Sequence, residues 1–382
     1  MLAPSATCPR RSGEDTFVAC DAAGTIAWYD APGRKLLKSW NAHEKGINDA
    51  ACAVTPSGTL CVAASRDHSL SLWRLGDEEA ACRREAAHKL NVSCVDIASD
   101  ASLVVSGSKD TFVRAWDPSR GLAPLGRGSA SRNTVTCLRL MPGSTASRAV
   151  VAQGSEDLKV RLWDLRAAAS SGAGAVLSVG RQLAGYVYFP LHVDVHPNGR
   201  HLLTSSRGVG GLGAEARVWD VRMPSEPVSA SGADVASSAW WDAEAAPADA
   251  GLGPGVQVGE YLGHEEDAAG CGWVPPALAS SLGLQGSFAT ASKDRTVRLW
   301  QVRPGQDGGV LTSGEESDEC VFRHVDGAAG AFTSLAWLRG GDRSGGDVVA
   351  GNEDGSLRLL RLEADGELRM VAESQPLRDD DE

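Results

Sequence analysis

Apolar and polar positions alternate along this chain in short runs, and one order of runs recurs seven times. An apolar stretch leads to Ser or Cys, then an acidic turn, an alternating stretch and a closing aromatic residue. The clearest copies are CVAASRDHSLSLWRL, closing at Trp73, VVSGSKDTFVRAWDP at Trp116, VAQGSEDLKVRLWDL at Trp163 and FATASKDRTVRLWQV at Trp300. Weaker copies close at Trp28 (FVACDAAGTIAWYD), Trp219 (LLTSSRGVGGLGAEARVWDV) and Leu360 (VVAGNEDGSLRLLRL). In SKDRTVRLW the turn falls at 293–295; beyond it Val297 and Leu299 share one face of a strand and Arg298 and Trp300 the other. Both faces carry large apolar groups, so both must be covered.

A hairpin repeated at about 40 to 45 residues marks a propeller blade, a four-stranded sheet that buries its faces only against its neighbours. The closing residues are spaced by 45, 43, 47, 56, 81 and 60 residues. The longest gap has room for another blade, but 223–255 holds no turn-and-tryptophan order, and VQVGEYLGH followed by GCGWV resumes the usual one. The expectation is an all-β, seven-bladed propeller with four antiparallel strands per blade. It forms one domain over 1–374, with an insertion at 223–255 in blade five and an acidic tail at 375–382.

Asp67, Asp110, Asp157, Asp294 and Asp354 lie six residues before the closing position, Ser65, Ser108, Ser155 and Ser292 lie eight before it, and His43, His88 and His264 precede three of the blades. A buried indole N–H needs an acceptor, a hydroxyl both accepts and donates, and an imidazole bridges that hydroxyl to a carboxylate. The pattern resembles the WD-repeat family, and the resemblance covers nearly the whole chain. It implies three complete tetrads: His43, Ser65, Asp67, Trp73; His88, Ser108, Asp110, Trp116; and His264, Ser292, Asp294, Trp300. Blade four lacks the His, blade seven has Asn352 and Leu360, blade one has Asp21 one place out of register, and blade five replaces the tight turn with RGVGGLGAE. Within the family, SRNTVTCLRLMP, VDVHPNGRHLLTSSRGVGGLGAEARVWDVR and YLGHEEDAAGCGWVPPAL resemble segments of a cilium-associated member. That likeness implies a role in cilium assembly or trafficking, through regulators of small GTPases and transport complexes.

MLAPSATCPRR has no apolar core and no run reaches membrane-span length, which points to a cytoplasmic chain. Nine cysteines without a C-x-x-C, among them Cys52, Cys61, Cys94 and Cys137 at strand positions, read as reduced core thiols. The net charge of −12 is concentrated in Glu315, Glu316, Asp318, Glu319 and in Asp379, Asp380, Asp381, Glu382; without these eight, 37 cations face 41 carboxylates, a balance of −4. Such runs read as solvated loop and tail, and no nucleic-acid partner is expected. Gly208, Gly210 and Gly213 spell G-x-G-x-x-G, but ARVWDV follows as a strand where a dinucleotide site needs a helix. His192, Asp194 and His196 alternate in LHVDVHPNG, which reads as the outer hairpin of a blade, without a fourth metal ligand. The Ser, His and Asp of the tetrads have the types of a hydrolase triad, yet recur once per blade, as architecture does. No cofactor, metal or catalytic residue is assigned.

The favoured function is a non-catalytic protein-interaction scaffold; the alternative is an enzyme or small-ligand binder using the axial channel. In this family the turn between the two inner strands and the loop before each blade share the narrower face. That face would carry Arg66, Lys109, Glu156, Arg207, Lys293 and Glu353 from the turns and Arg132 from the loop before blade four. Blade one has only 2–9 for its innermost strand, which leaves room for an incomplete N-terminus.

Overall fold

The computed structural model describes residues 10–11, 14–30, 35–77, 79–128, 133–165, 175–221, 256–302, 320–325, 330–338, 346–363 and 368–374. Arg132, the 223–255 insertion, the two acidic runs, residues 2–9 and the 375–382 tail lie outside them.

Seven antiparallel sheets follow one another along the chain and stack into a ring. Blade one is Arg10–Arg11, Glu14–Cys20, Thr25–Asp30 and Lys35–Asn41; blade two is Ile47–Thr55, Gly58–Ser65, Leu70–Arg74 and Cys82–Arg84. Blade three is Val92–Ile97, Val104–Ser108, Val113–Asp117 and Ala123–Gly128, with Ala175–Val176 added parallel at its outer edge. Blade four is Val135–Leu140, Val150–Ser155, Lys159–Asp164 and Ser178–Leu183; blade five is Pro190–Val195, His201–Ser206, Ala216–Asp220 and Val256–Tyr261. Blade six is Ala268–Trp273, Phe288–Ser292, Thr296–Trp300 and Cys320–Val325; blade seven is Phe332–Leu338, Gly346–Asn352, Leu357–Leu362 and Leu368–Ser374. The seven-bladed expectation holds.

The first strands of blades two to seven lie side by side around the axis, so LHVDVHPNG belongs to the innermost strand of blade five, not to an outer hairpin. Alternation identifies a strand but is silent on which strand of the blade it is.

The core lies between sheets. Trp116 closes blade three but packs on Val62 and Leu72 of blade two, and Trp219 of blade five packs on Val160 and Leu162 of blade four. Blade one departs from the expected register. In blades three to seven a bulge immediately precedes the closing residue, as at Ala115/Trp116; in blade one it falls at Trp28/Tyr29. Tyr29 is therefore the closing residue of blade one, stacked on Phe17 with ring centroids 4.9 Å apart. Asp21, eight residues earlier, stands where the other turns have Ser or Asn. Phe17, Tyr29 and Ala19 pack on Leu338, Val349 and Leu359 of blade seven, which closes the ring by side-chain contact. Each of these two blades is built from one continuous stretch of chain, so closure involves no exchanged strand.

Candidate functional site

The polar chains inside the blades show what the repeated residues do. In blade three the Trp116 indole N–H donates to Ser106 Oγ at 2.8 Å, Ser106 Oγ lies 2.7 Å from His88 Nε2, and His88 Nδ1 lies 3.0 Å from Asp110. The ionised carboxylate can only accept, so Nδ1 donates to it, and because burial lowers His88 and keeps the imidazole neutral, Nε2 takes the proton of the Ser106 hydroxyl. Blade six repeats the chain through Trp300, Thr290, His264 and Asp294 at 2.8, 2.7 and 2.9 Å. Blade two runs through Trp73, Ser71, His43 and Asp67 at 2.8, 2.7 and 3.0 Å.

The His, Asp and Trp are those expected; the hydroxyl is not. Ser65, Ser108 and Ser292 stand outside the chains. Each accepts the N–H of the Asp two residues on, at 3.1, 3.0 and 3.1 Å, and donates to a carbonyl of the loop before the blade, Lys45, Asn91 or Glu266. Burial alone would raise the Asp110 carboxyl, but bonds from His88 and from the Lys89 and Phe112 N–H groups hold it at about 2. Burial opposes ionisation of Asp67 too, and Ser69 and His43 together hold it at about 2. Ser71, Ser106 and Thr290 are fully buried. Each hydroxyl is sealed from solvent between an indole and an imidazole, so these three Ser/Thr–His–Asp sets read as architecture repeated from blade to blade.

Blades four and five solve the same problem with other residues. In blade four Gln153 Oε1 accepts from the Trp163 indole at 3.0 Å, and Arg161 holds Asp157 with two bonds of 3.0 and 2.6 Å in place of a histidine. In blade five Thr204 Oγ1 accepts from Trp219 at 3.3 Å and lies 2.8 Å from the Tyr186 hydroxyl. Arg217 sits 5.0 Å over the Tyr186 ring and pairs with Glu215 and Glu260 at 3.2 and 2.8 Å. Gln153 stands ten residues before its tryptophan, as Ser106 and Thr290 do, and only its residue type hid it; Tyr186 falls outside that spacing.

The six described turn residues occupy equivalent positions in their blades. The backbone N–H of Arg66, Lys109, Glu156, Arg207, Lys293 and Glu353 donates to Gly46, Asn91, Thr134, Phe189, Asp267 and Ala331 carbonyls at 2.8–3.0 Å. Six blades thus present equivalent turns on one face, each pinned to the loop before its own blade. Their charges are not equivalent. Lys293 binds Asp267 at 2.8 Å and Arg207 approaches the same carboxylate at 3.8 Å, so the two cations share one counter-charge. Arg66 Nε donates to Asn48 Oδ1 at 2.9 Å, which leaves its charge unmatched, and Lys109 is exposed. The pinning loops add Lys45 beside Arg66 and Lys89 beside Lys109, both exposed. Among the described residues these four cations form no ion pair. Lys45 and Lys89 were legible only as residues shortly after His43 and His88, two positions and one position on.

The axial channel holds a cavity of about 290 Å³ lined by Cys52, Asp96, Arg139, His192, Asp194 and Trp273, among others. Its carboxylates tie neighbouring first strands together. Asp49 accepts the Val95 N–H at 3.0 Å, Asp96 the Leu140 N–H at 2.7 Å and Asp194 the Trp273 N–H at 2.9 Å. Burial would lower the Arg139 guanidinium, but Asp96, Asp49 and Asp194 around it raise it instead. No group of three His, Cys, Asp or Glu among the described residues is placed to hold a metal ion. Cys20, Cys52, Cys61, Cys82, Cys94, Cys137 and Cys271 are thiols in no disulfide among the described residues; burial pushes Cys94 and Cys137 up, the latter to about 12.

Acid should loosen the ring through its buried imidazoles. Burial lowers His192 to about 3 and His201 to about 4, so below about pH 6.5 the unfolded chain binds protons that the folded chain refuses. Stability from these groups is complete above that pH and is lost as pH falls toward the folded values, while Asp96 and Asp194, raised by burial, titrate the other way. The His192→Gln variant should therefore lose less melting temperature than the parent between pH 6.5 and 3. Parallel curves would show that His192 is not held neutral.

The WD domain, G-beta repeat model matches residues 34–74 and 81–117, each stretch comprising the outer strand of one blade and the three inner strands of the next. Relatives include a ribosome biogenesis protein WDR12 homolog of Chlamydomonas reinhardtii, 28% identical over 55% of this chain and 50% of that protein. The nuclear distribution protein PAC1 of Arthroderma benhamiae is 26% identical over 72% of this chain and 53% of its own length, and the methylosome protein WDR77 of Xenopus laevis is 30% identical over 44% and 47%. The chain spans about half the length of the curated relatives it matches. Repeat order, polar chains and ring together give one conclusion: the chain is a seven-bladed β-propeller, with residues 34–74 and 81–117 matching the WD domain, G-beta repeat.

Proposed function

We propose that this propeller is a non-catalytic interaction platform whose narrow face docks an acidic protein segment through Lys45, Arg66, Lys89 and Lys109. The observation that carries this reading is the convergence of four uncompensated cations on adjacent blades of a chain whose net charge is −12. Loops pinned by backbone bonds hold them in place, and a local positive field steers an acidic partner. The alternative, a channel site, is disfavoured because the channel carboxylates already bind the neighbouring strands. The relatives are named for ribosome biogenesis, nuclear distribution and the methylosome, three different settings, which supports a shared mode of action over a shared partner.

Replacing all four cations by Glu should abolish capture of the chain's partners and leave thermal stability nearly unchanged, and the difference from the parent should shrink as salt is raised. Unchanged capture would place the docking site elsewhere. A finer assignment rests on the likeness of the three quoted segments to the cilium-associated WD repeat-containing protein thirty-one. It places the platform in the cytoplasm at the cilium or basal body, with regulators of small GTPases and transport complexes as partners. Absence of the chain from axonemal and basal-body fractions of a ciliated cell would remove that assignment and leave the platform intact.

A further inference from the structure

Blade five breaks the pattern of tight turns on the narrow face. Its inner strands are joined through a small hairpin, Gly208–Val209 paired with Leu212–Gly213. The sequence permits this because Gly210 and Gly211 take φ of +59° and +81° at the tip, conformations that side chains resist. The hairpin is braced on both sides. Gly208 N–H donates to Asp267 Oδ1 at 3.1 Å, Gly211 N–H donates to the Glu265 carbonyl at 2.9 Å, and Val209 forms a bridge with Glu266. On the other flank Gly213 lies so close to the Tyr188 ring that a Cβ there would sit 2.5 Å from it.

This braced corner presents apolar surface. Leu212 is 67% exposed and Val209 53%, while Val187 and Leu262, on the flanking loops, are 57% and 54% exposed. They are four of nine large exposed hydrophobic residues among the described ones. Solvent exposure of four aliphatic side chains on one braced hairpin and its flanking loops suits a recognition surface, since fixing the ledge in advance lowers the ordering cost of binding. The charge around it is acidic. Arg207 and Lys293 are occupied by Asp267, whereas Glu265 and Glu266 are exposed and form no ion pair among the described residues.

We propose that the blade-five hairpin and its bracing loops form a second docking ledge, for a short partner segment with apolar side chains flanked by Lys or Arg. The inference rests on the platform reading and divides the narrow face into a basic half on blades two and three and an apolar, acidic corner on blades five and six. The probe is a library of random short peptides displayed against the immobilised full chain, with the affinities of enriched peptides measured by fluorescence anisotropy. Apolar-basic peptides are expected among those enriched. Their affinity should fall about tenfold or more for the Val209→Asp, Leu212→Asp variant and for the Glu265→Lys, Glu266→Lys variant, and hold for the variant with Glu at 45, 66, 89 and 109. The second acidic-site variant keeps the test decisive if the first fails to fold. Enrichment of acidic peptides alone, sensitive only to the four-cation variant, would overturn the ledge and leave the platform standing; enrichment of neither class would overturn both.

Discussion

Trp116→Phe should destabilise the chain severely, whereas Trp28→Phe should be close to neutral. Trp116 is fully buried, and losing its indole leaves Ser106 and His88 with an incomplete chain. Each buried polar group left short costs about 1–3 kcal/mol, and the smaller ring also leaves a cavity between blades two and three. Trp28, one residue before the closing Tyr29 of blade one, has a buried indole N–H with no partner among the described residues. Phenylalanine there removes an unsatisfied donor, which offsets the lost contact. Chemical denaturation of both variants decides the matter: equal losses would mean that the hydrogen-bonded chain contributes nothing beyond the bulk of the ring.

The second large effect is expected at Gly24. Its φ of +97° is unfavourable for any side chain, and a Cβ would lie 2.2 Å from the His43 carbonyl oxygen and 3.0 Å from that of Lys45. The Gly24 carbonyl also accepts the N–H of Ala42 and His43, so the turn of blade one is the seat on which the histidine loop of blade two rests. Gly24→Ala must push that loop away. A loss of about 2–4 kcal/mol follows from strain and collision together, and hydrogen exchange at Leu70–Arg74, where Ser71 and Trp73 depend on His43, should accelerate. A variant as stable as the parent would show that the loop has room to move.

Strands and turns were legible because each blade repeats the same alternation with Asp in the turn and a large residue at the end. The bridging hydroxyl was not. Ser106 and Ser108 are two residues apart on one strand, so they share a face, and period alone cannot choose between them. Blade two shows the physical criterion: Ala63 stands at the place of Ser106, and Ser71, its direct cross-strand partner, supplies the hydroxyl at the same point in space. Blade one misled in another way, since Trp28 looks like a closing residue until the bulge assigns that place to Tyr29. On the narrow face the turn positions were readable from their spacing. Which cations remain free was not, because Asp267, which pairs with both Lys293 and Arg207, stands in the loop before blade six where blades two and three have the uncharged Gly46 and Asn91.

The most direct test of a narrow-face platform is photo-cross-linking in cells from single p-benzoylphenylalanine substitutions. One is placed at Lys109 on that face, two at Ser57 and Asn198 in turns at the opposite end of the blades, and one at Leu37 on the outer edge. Partner adducts from Lys109 with none from Ser57, Asn198 or Leu37 are the predicted result. Adducts from Ser57 and Asn198 with none from Lys109 would contradict it.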